Sequence, residues 1–336
     1  MNPMFASDNS AGVHPKIRDA MREADSGYIL AYGHETDGYT QRAVAKFRDH
    51  CGPDAGVYFV FGGTGANVAG LSAALQDSHL VVCSDGAHIY CSESGAPHAF
   101  TGCRFLPIES PDGKLTPQLV DELLDRSEKP GVISISQPTE YGTVYSHVEL
   151  SDISEYAHRA GFRLHVDGAR ICNAAAHLGT GLYEAARGAD VISFGGTKNG
   201  MQYGEAVLIL NPELNKDFSE TRIRSTQRPS KMRYIAAQFD ALLTDDLWRL
   251  NASHANRMAY ILYHAINDVP NVNVTQPVQS NAVFAKIPKE SIKPLQERYF
   301  FWPWDEDVGE VRWMTSWSTT EDDVYDFARY IREIVK

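Results

Sequence analysis

The sequence predicts an α/β fold with a mostly parallel sheet, followed by a smaller α+β unit, on three observations. Between residues 56 and 210, short apolar runs alternate with helical patterns, as strands joined by covering helices do. Several apolar runs end in polar or glycine-rich groups: Gly62-Gly63-Thr64-Gly65, Asp167, and Gly195-Gly196-Thr197-Lys198. Open α/β sheets bind their ligands beyond the carboxyl ends of the strands, which is where these groups fall. After about Ala241 the alternation stops, and a long helical stretch leads into shorter strand candidates.

The chain of 336 residues is long enough for one large domain and a smaller one, and 43% hydrophobic content supplies a substantial core. A net charge of −12, with the acidic residues spread along the chain, argues against nucleic acid or an anionic membrane as partner. No apolar run approaches a transmembrane span, and the start Met1-Asn2-Pro3-Met4-Phe5 has neither the basic nor the apolar segment of a secretory signal. Five cysteines, an odd number without a CxxC pair, fit free thiols in a reducing cytoplasm. The glycosylation triplets at Asn251 and Asn273 then read as chance matches.

Residues 1–14 are polar and short-chained and read as an arm, 15–240 as the large domain and 241–336 as the small one. Pro15 opens a helix carrying Ile17, Ala20 and Met21, and Ala43, Val44 and Phe47 mark another that Gly52 stops. Strands are predicted at Gly56–Phe61, Leu80–Cys83, Val132–Ile135, Phe162–Val166 ending at Asp167, Val191–Phe194 and Ala206–Leu210. A helix runs from Ala66 to Leu75, Thr116-Pro117 caps and opens another, and Ser151 caps one that ends near Gly161. Beyond them come a helix from Asp245 to Asn267, strands at Asn281–Ile287 and Val311–Met314, and a last helix started by Thr319-Thr320-Glu321-Asp322 and running to Ile334.

The polar groups at the strand ends gain meaning together. A lysine among glycines just past a strand is packed against backbone, and desolvation disfavours its ammonium form. A neutral amine forms a Schiff base with an aldehyde. The Gly63-Thr64 turn between a strand and a helix start suits an anion. Each feature alone has an ordinary reading: a solvated loop lysine, a tight turn without ligand, a capping aspartate. Lys198, Asp167 and the Gly63-Thr64 turn together match the needs of pyridoxal phosphate: an amine for its aldehyde, a carboxylate against its ring nitrogen, and a cradle for its phosphate.

The chain resembles the low-specificity L-threonine aldolases, members of the aspartate-aminotransferase-like (fold type I) pyridoxal phosphate enzymes. The resemblance covers essentially the whole chain. It rests on Phe5-Ala6-Ser7-Asp8-Asn9, Ala31-Tyr32-Gly33, Gly63-Thr64-Gly65-Ala66-Asn67, His88, His165-Val166-Asp167-Gly168-Ala169-Arg170, Phe194-Gly195-Gly196-Thr197-Lys198-Asn199-Gly200 and Ser230-Lys231-Met232-Arg233. It implies a seven-stranded sheet, Lys198 as the Schiff-base lysine, Asp167 as ring-nitrogen partner, and Gly63, Thr64 and Arg233 as phosphate ligands, the arginine coming from a neighbouring subunit. It further implies His88 stacked on the cofactor and facing the substrate hydroxyl. Ser7, Arg170 and Arg312 would meet the substrate carboxylate, with Arg170 also beside the cofactor, and Tyr32 would act across a dimer interface. No metal is implied. A homotetramer with shared sites is.

Physical reasons accompany the implied roles. Arginine offers the planar, bidentate recognition that a carboxylate asks for. His88 titrates near neutrality and either accepts the hydroxyl proton or serves only as a stacking platform, with water taking the proton. Arg312 could also be a strand-surface arginine in a salt bridge. The chain departs from some relatives by Gly62 where they carry serine. It also has Gln137-Pro138-Thr139-Glu140 where some carry a second histidine, which leaves β-carbon stereochemistry open.

The reaction implied is retro-aldol cleavage of L-threonine, L-allo-threonine or related β-hydroxy-α-amino acids to glycine and an aldehyde. Alternatives share the cofactor: β-elimination, racemisation or an aryl substrate such as phenylserine. A dinucleotide-binding domain is a different alternative, with Gly63-Thr64-Gly65 after a strand and Asp85 about 20 residues on, though Val68 stands where the third glycine belongs. A non-catalytic relative is the last, and the presence of both Lys198 and Asp167 speaks against it.

Overall fold

The computed structural model describes residues 4–75, 77–125 and 127–336, so the predicted arm is seen from Met4 onward. Seven strands form the main sheet: β1 (Gly56–Val60), β2 (Leu80–Ser84), β3 (Arg104–Ile108), β4 (Val132–Ser136), β5 (Arg163–Gly168), β6 (Val191–Gly195) and β7 (Glu205–Ile209). Their order is β1-β7-β6-β5-β4-β2-β3, and β7 runs against the other six. Strands β2, β4, β6 and β7 are buried at every residue, as expected of a sheet covered on both faces. This order differs from the 3-2-1-4-5-6 arrangement of dinucleotide-binding domains. Asp85 is also committed elsewhere, accepting hydrogen bonds from the Gly86 and Ser110 N–H groups.

Strand β3 is absent from the sequence reading for a physical reason. It contains Pro107, and proline argues against a central strand, but β3 lies at the sheet edge and pairs only with β2. The helix assigned to a Ser151 cap begins earlier. Ser146 caps His147–Arg159 in a reciprocal box with Glu149, and Ser151 lies inside the helix. Other start signals hold: Pro15 follows the His14 cap, Thr116 Oγ1 accepts from Leu119 N–H, and Thr320 forms a box with Asp323.

A second sheet is antiparallel, in the order β10-β11-β9-β8, from β8 (Asn273–Val274), β9 (Ala282–Lys286), β10 (Pro303–Asp305) and β11 (Glu310–Met314). The helix Leu247–Ile266 serves both cores: Leu247, Trp248 and Ala252 pack under the main sheet, and Met258, Ala259, Leu262 and Ile266 under the small one. It starts later than the sequence predicts because Asp245 and Asp246 take left-handed conformations, with φ of 52° and 54°. The arm joins the second core through Phe5, fully buried and stacked on Phe327 with ring centroids 4.3 Å apart. Its N–H donates to Phe300 O and its carbonyl accepts from Met314 N–H, so the residues after Phe5 are led towards the main sheet.

The ends of β5 and β6 approach so closely at Gly195 that a Cβ there would lie 2.1 Å from the Ala169 carbonyl oxygen. Backbone cannot yield as a side-chain tip can. Gly195→Ala is therefore expected to destabilise the protein by about 1–3 kcal/mol. Chemical denaturation measures this, and an unchanged midpoint would contradict the packing described.

Candidate active site

The carboxyl ends of β5 and β6, the turn after β1 and the short helix His88–Cys91 enclose a cavity of about 310 Å³. Gly63, Thr64, His88, Asp167 and Lys198 all line it. A larger, more open groove of about 570 Å³ runs past Pro117, Asp121 and Tyr156 and holds none of the candidate residues.

Lys198 occupies one 3-10 turn, Thr197–Asn199, directly after β6, and Gly200 closes the turn at φ 102°. Asn199 anchors it: its Nδ2 donates to Trp248 O at 2.9 Å, and its carbonyl accepts from Asn251 Nδ2 at 2.9 Å. The Lys198 amine makes no hydrogen bond or ion pair with any described residue. Burial, reinforced by the positive charge of Arg170, holds its pKa below that of an ordinary lysine.

Asp167 is buried near the end of β5. Its Oδ1 accepts from Ala169 N–H at 3.0 Å and its Oδ2 from Asn67 Nδ2 at 2.8 Å. Asn67 lies in the helix Gly63–Leu75, and its Nδ2 also donates to Glu93 Oε1 at 2.8 Å. The same oxygen accepts from His88 Nδ1 at 2.9 Å. Asp167, Asn67, Glu93 and His88 thus form one connected chain. The hydrogen bond to Glu93 raises the His88 pKa, burial works against it, and Glu140 and Asp167 add to the rise. His88, Glu93 and Asp167 bring ligand-type atoms within 4.8 Å of one another, but Asn67 and the His88–Glu93 bond already engage them. Glu93 Oε2 and Asn67 Oδ1 remain buried without a partner. At the turn after β1, a Cβ on Gly62 or Gly63 would meet nothing within 4 Å, so that side of the helix N-terminus is open, whereas one on Gly65 would run into the Gln227 side chain at 2.2 Å.

Five predicted residues are not among those lining this cavity. Arg170 gives its Nε and Nη2 to Asp8, at 2.7 and 2.9 Å. Burial opposes the charge on Asp8, but Arg170 overcomes it and keeps the carboxyl below its usual range. Arg312 has no ion pair among the described residues, so the salt-bridge reading is not met. Its Nε is orphaned, it lies over the Trp304 ring at 5.2 Å, and burial together with Arg170 brings its pKa down to about 10. Ser7 caps a short turn through Asn9 N–H and faces a neighbouring pocket, while Asn9 itself reaches the cavity. Tyr32 is about half exposed, tied by its N–H to Ser230 O and covered by Arg228 at 4.4 Å, and Arg233 stacks on Tyr234.

Sequence reasoning missed Glu93, Asn67 and Glu205 as site residues. Asn67 ends a quoted motif without being given a role, and Glu93 follows His88 by one turn of chain. Glu205 is the single charge opening an apolar strand.

Residues 4–289 match the family described as beta-eliminating lyases. A low specificity L-threonine aldolase from Pseudomonas aeruginosa is 41% identical over 98% of this chain and 97% of its own. The chain belongs to this family. A solved threonine aldolase from Leishmania major superposes with a TM-score of 0.91 at 30% identity, covering 99% of this chain and 100% of that one. An aspartate aminotransferase from Thermus thermophilus, 15% identical, superposes at 0.71 over 99% of this chain and 92% of its own, and shows the shared fold alone. The fold-type-I architecture expected from the resemblance is thereby established, together with the mostly parallel seven-stranded sheet.

Because the carboxylate of Glu93 is the main support of the His88 charge, Glu93→Gln is expected to shift the His88 imidazole titration to lower pH. NMR titration of the ring resonances reads this directly, and an unmoved curve would contradict the coupling.

Proposed function

We propose that the protein is a pyridoxal 5'-phosphate-dependent aldehyde-lyase that cleaves L-threonine, L-allo-threonine and related β-hydroxy-α-amino acids to glycine and an aldehyde. The observation that carries this is the unpartnered, desolvated amine of Lys198 on one cavity with the doubly hydrogen-bonded carboxylate of Asp167. The residues fit the cofactor. The amine is free for its aldehyde, Asp167 presents an anion for a ring nitrogen, and the Gly63-Thr64 helix start opens onto space with its N–H groups available for a phosphate. When bound, pyridoxal phosphate supplies an electron sink for the pair released as the Cα–Cβ bond breaks.

The chain's own residues would do the rest. Asp167 would hold the ring nitrogen protonated, and Asn67 fixes the carboxylate that does so. Arg312 has charge to spare, whereas Arg170 is largely neutralised by Asp8, so Arg312 is the stronger anchor for the substrate carboxylate. On Arg170, Nη1 remains for the same task, since Nη2 also reaches Met314 Sδ at 3.5 Å. Anchoring there would orient the Cα–Cβ bond for cleavage. His88, with Nδ1 committed to Glu93, would take the β-hydroxyl proton at Nε2, directly or through a water.

The positions of Tyr32 and Arg233, outside the cavity of their own chain, support a homo-oligomer, a tetramer in our reading, in which these residues serve a neighbour's site. Exposed Tyr28, Leu30 and Phe61 add apolar surface for such contacts. A cytoplasmic location fits five cysteines free of disulfides, and no helix among the described residues is long and apolar enough to cross a membrane.

Purified enzyme incubated with L-allo-threonine is expected to release acetaldehyde, and Lys198→Ala to lower the rate by roughly 1,000-fold or more. Acetaldehyde no higher than in the Lys198→Ala control would end this reading. Pyruvate or a related keto acid from a substrate with a β-leaving group, without aldol cleavage, would favour β-elimination instead.

A further inference from the structure

Glu205 is a carboxyl for which the chemistry above has no use, and its placement is specific. It opens β7, the one reversed strand, where it pairs with Val60 of β1 on one side and Gly195 of β6 on the other. The residues that follow those two partners are the Gly62-Gly63-Thr64 turn and the lysine loop, so Glu205 stands between the anion cradle and Lys198. It lines the same cavity. Its Oε2 accepts from Gly196 N–H at 2.5 Å and from Thr197 N–H at 3.4 Å. Both backbone bonds fall on Oε2, and the Thr197 side chain adds a further hydrogen bond to the carboxyl.

We propose that Glu205 couples seating of the cofactor's phosphate to uptake of one proton by its own carboxyl. The inference rests on the proposed pyridoxal phosphate dependence. A phosphate at the Gly63-Thr64 helix start would bring two negative charges next to a buried carboxylate. Like charges in a poorly solvated site cannot both persist at low cost. The group that yields is the carboxyl, because burial already pushes its pKa up to about 7 against the pull of the Gly196 and Thr197 donors and of Lys198. The proton comes from solvent and resides on Oε1, where the O–H can donate towards a phosphate oxygen, while Oε2 keeps the lysine loop in place.

Other charged or titratable groups around Glu205 do not replace it. Lys198 faces it across the loop, Cys172 approaches from the helix Ile171–Leu178, and Tyr203 lies on the same wall. Asp167 and His88 also line the cavity and belong to the hydrogen-bonded chain described above. The turn Phe61–Thr64 contributes no ionisable side chain. The sign follows from the proton. Deprotonated Glu205 repels the phosphate, so affinity for the phosphorylated cofactor falls as pH rises through 7, a loss that glutamine would not show.

The test compares apoenzyme binding of pyridoxal phosphate and of pyridoxal, which lacks the phosphate, between pH 6 and 8.5. At pH 8.5, Glu205→Gln is expected to bind pyridoxal phosphate at least about eightfold more tightly than the unaltered protein, as a pKa rise of one unit or more on binding requires. The two proteins should agree at pH 6, and for pyridoxal they should agree throughout. Calorimetry of the unaltered protein at pH 7.5 in two buffers of different ionisation enthalpy provides a second measure. Binding of pyridoxal phosphate should take up about half a proton or more beyond binding of pyridoxal. Superimposed pH profiles with tight binding, an equal effect on pyridoxal, or no extra proton would overturn the role of Glu205 and leave the cofactor assignment standing. Absence of pyridoxal phosphate binding at every pH would overturn both.

Discussion

A largely desolvated lysine amine, without an ion-pair partner among the described residues, is the constraint on which the site depends. Lys198 makes no salt bridge with a described residue, so its position must be maintained by its surroundings. Asn199 and Asn251 pin the turn, Gly195 lets β5 and β6 close beneath it, and Glu205 takes the N–H groups of the residues just before it. The main sheet directs all of this to one edge. Because β7 alone is reversed, its first residue, not its last, meets the ends of β1 and β6.

Charge balance ties the arm and the small sheet to that edge. Asp8, brought in by the anchoring of Phe5 in the second core, pairs with Arg170 at the end of β5 and accepts from Asn281 at 3.0 Å beside β9. Arg312, on β11, is left as a partly buried cation with no anion of its own among the described residues. A substrate carboxylate is the kind of group that would complete this arrangement. The arm, the main sheet and the small sheet therefore meet through electrostatics as much as through packing, and the helix Leu247–Ile266 supplies the apolar continuity between the two cores.

Much of this was legible in the residues. The runs around β2, β4 and β6 are largely apolar because both faces are covered, and the Gly-Thr turn, Asp167 and Lys198 lie at strand ends where the sequence puts them. What was not legible depends on neighbours distant in sequence. Pro107 conceals β3, since only pairing shows that it is an edge strand. Ser151 resembles a cap until the reciprocal bond between Ser146 and Glu149 is seen. Arg170 is recognisable as an anion binder, but its pairing with Asp8 joins the arm to the end of β5, 162 residues away. Glu93 and Glu205 carry no motif, and their significance comes from what the fold brings beside them. Tyr32 and Arg233 contact Ser230, Arg228 and Tyr234, none of which lines the cavity.

The most direct measurement is borohydride reduction of the protein loaded with pyridoxal phosphate, followed by peptide mapping by mass spectrometry. A single phosphopyridoxyl group on the peptide that contains Lys198 is the predicted result. The same mass on another lysine, or no stable adduct at all, would contradict the role given to that amine.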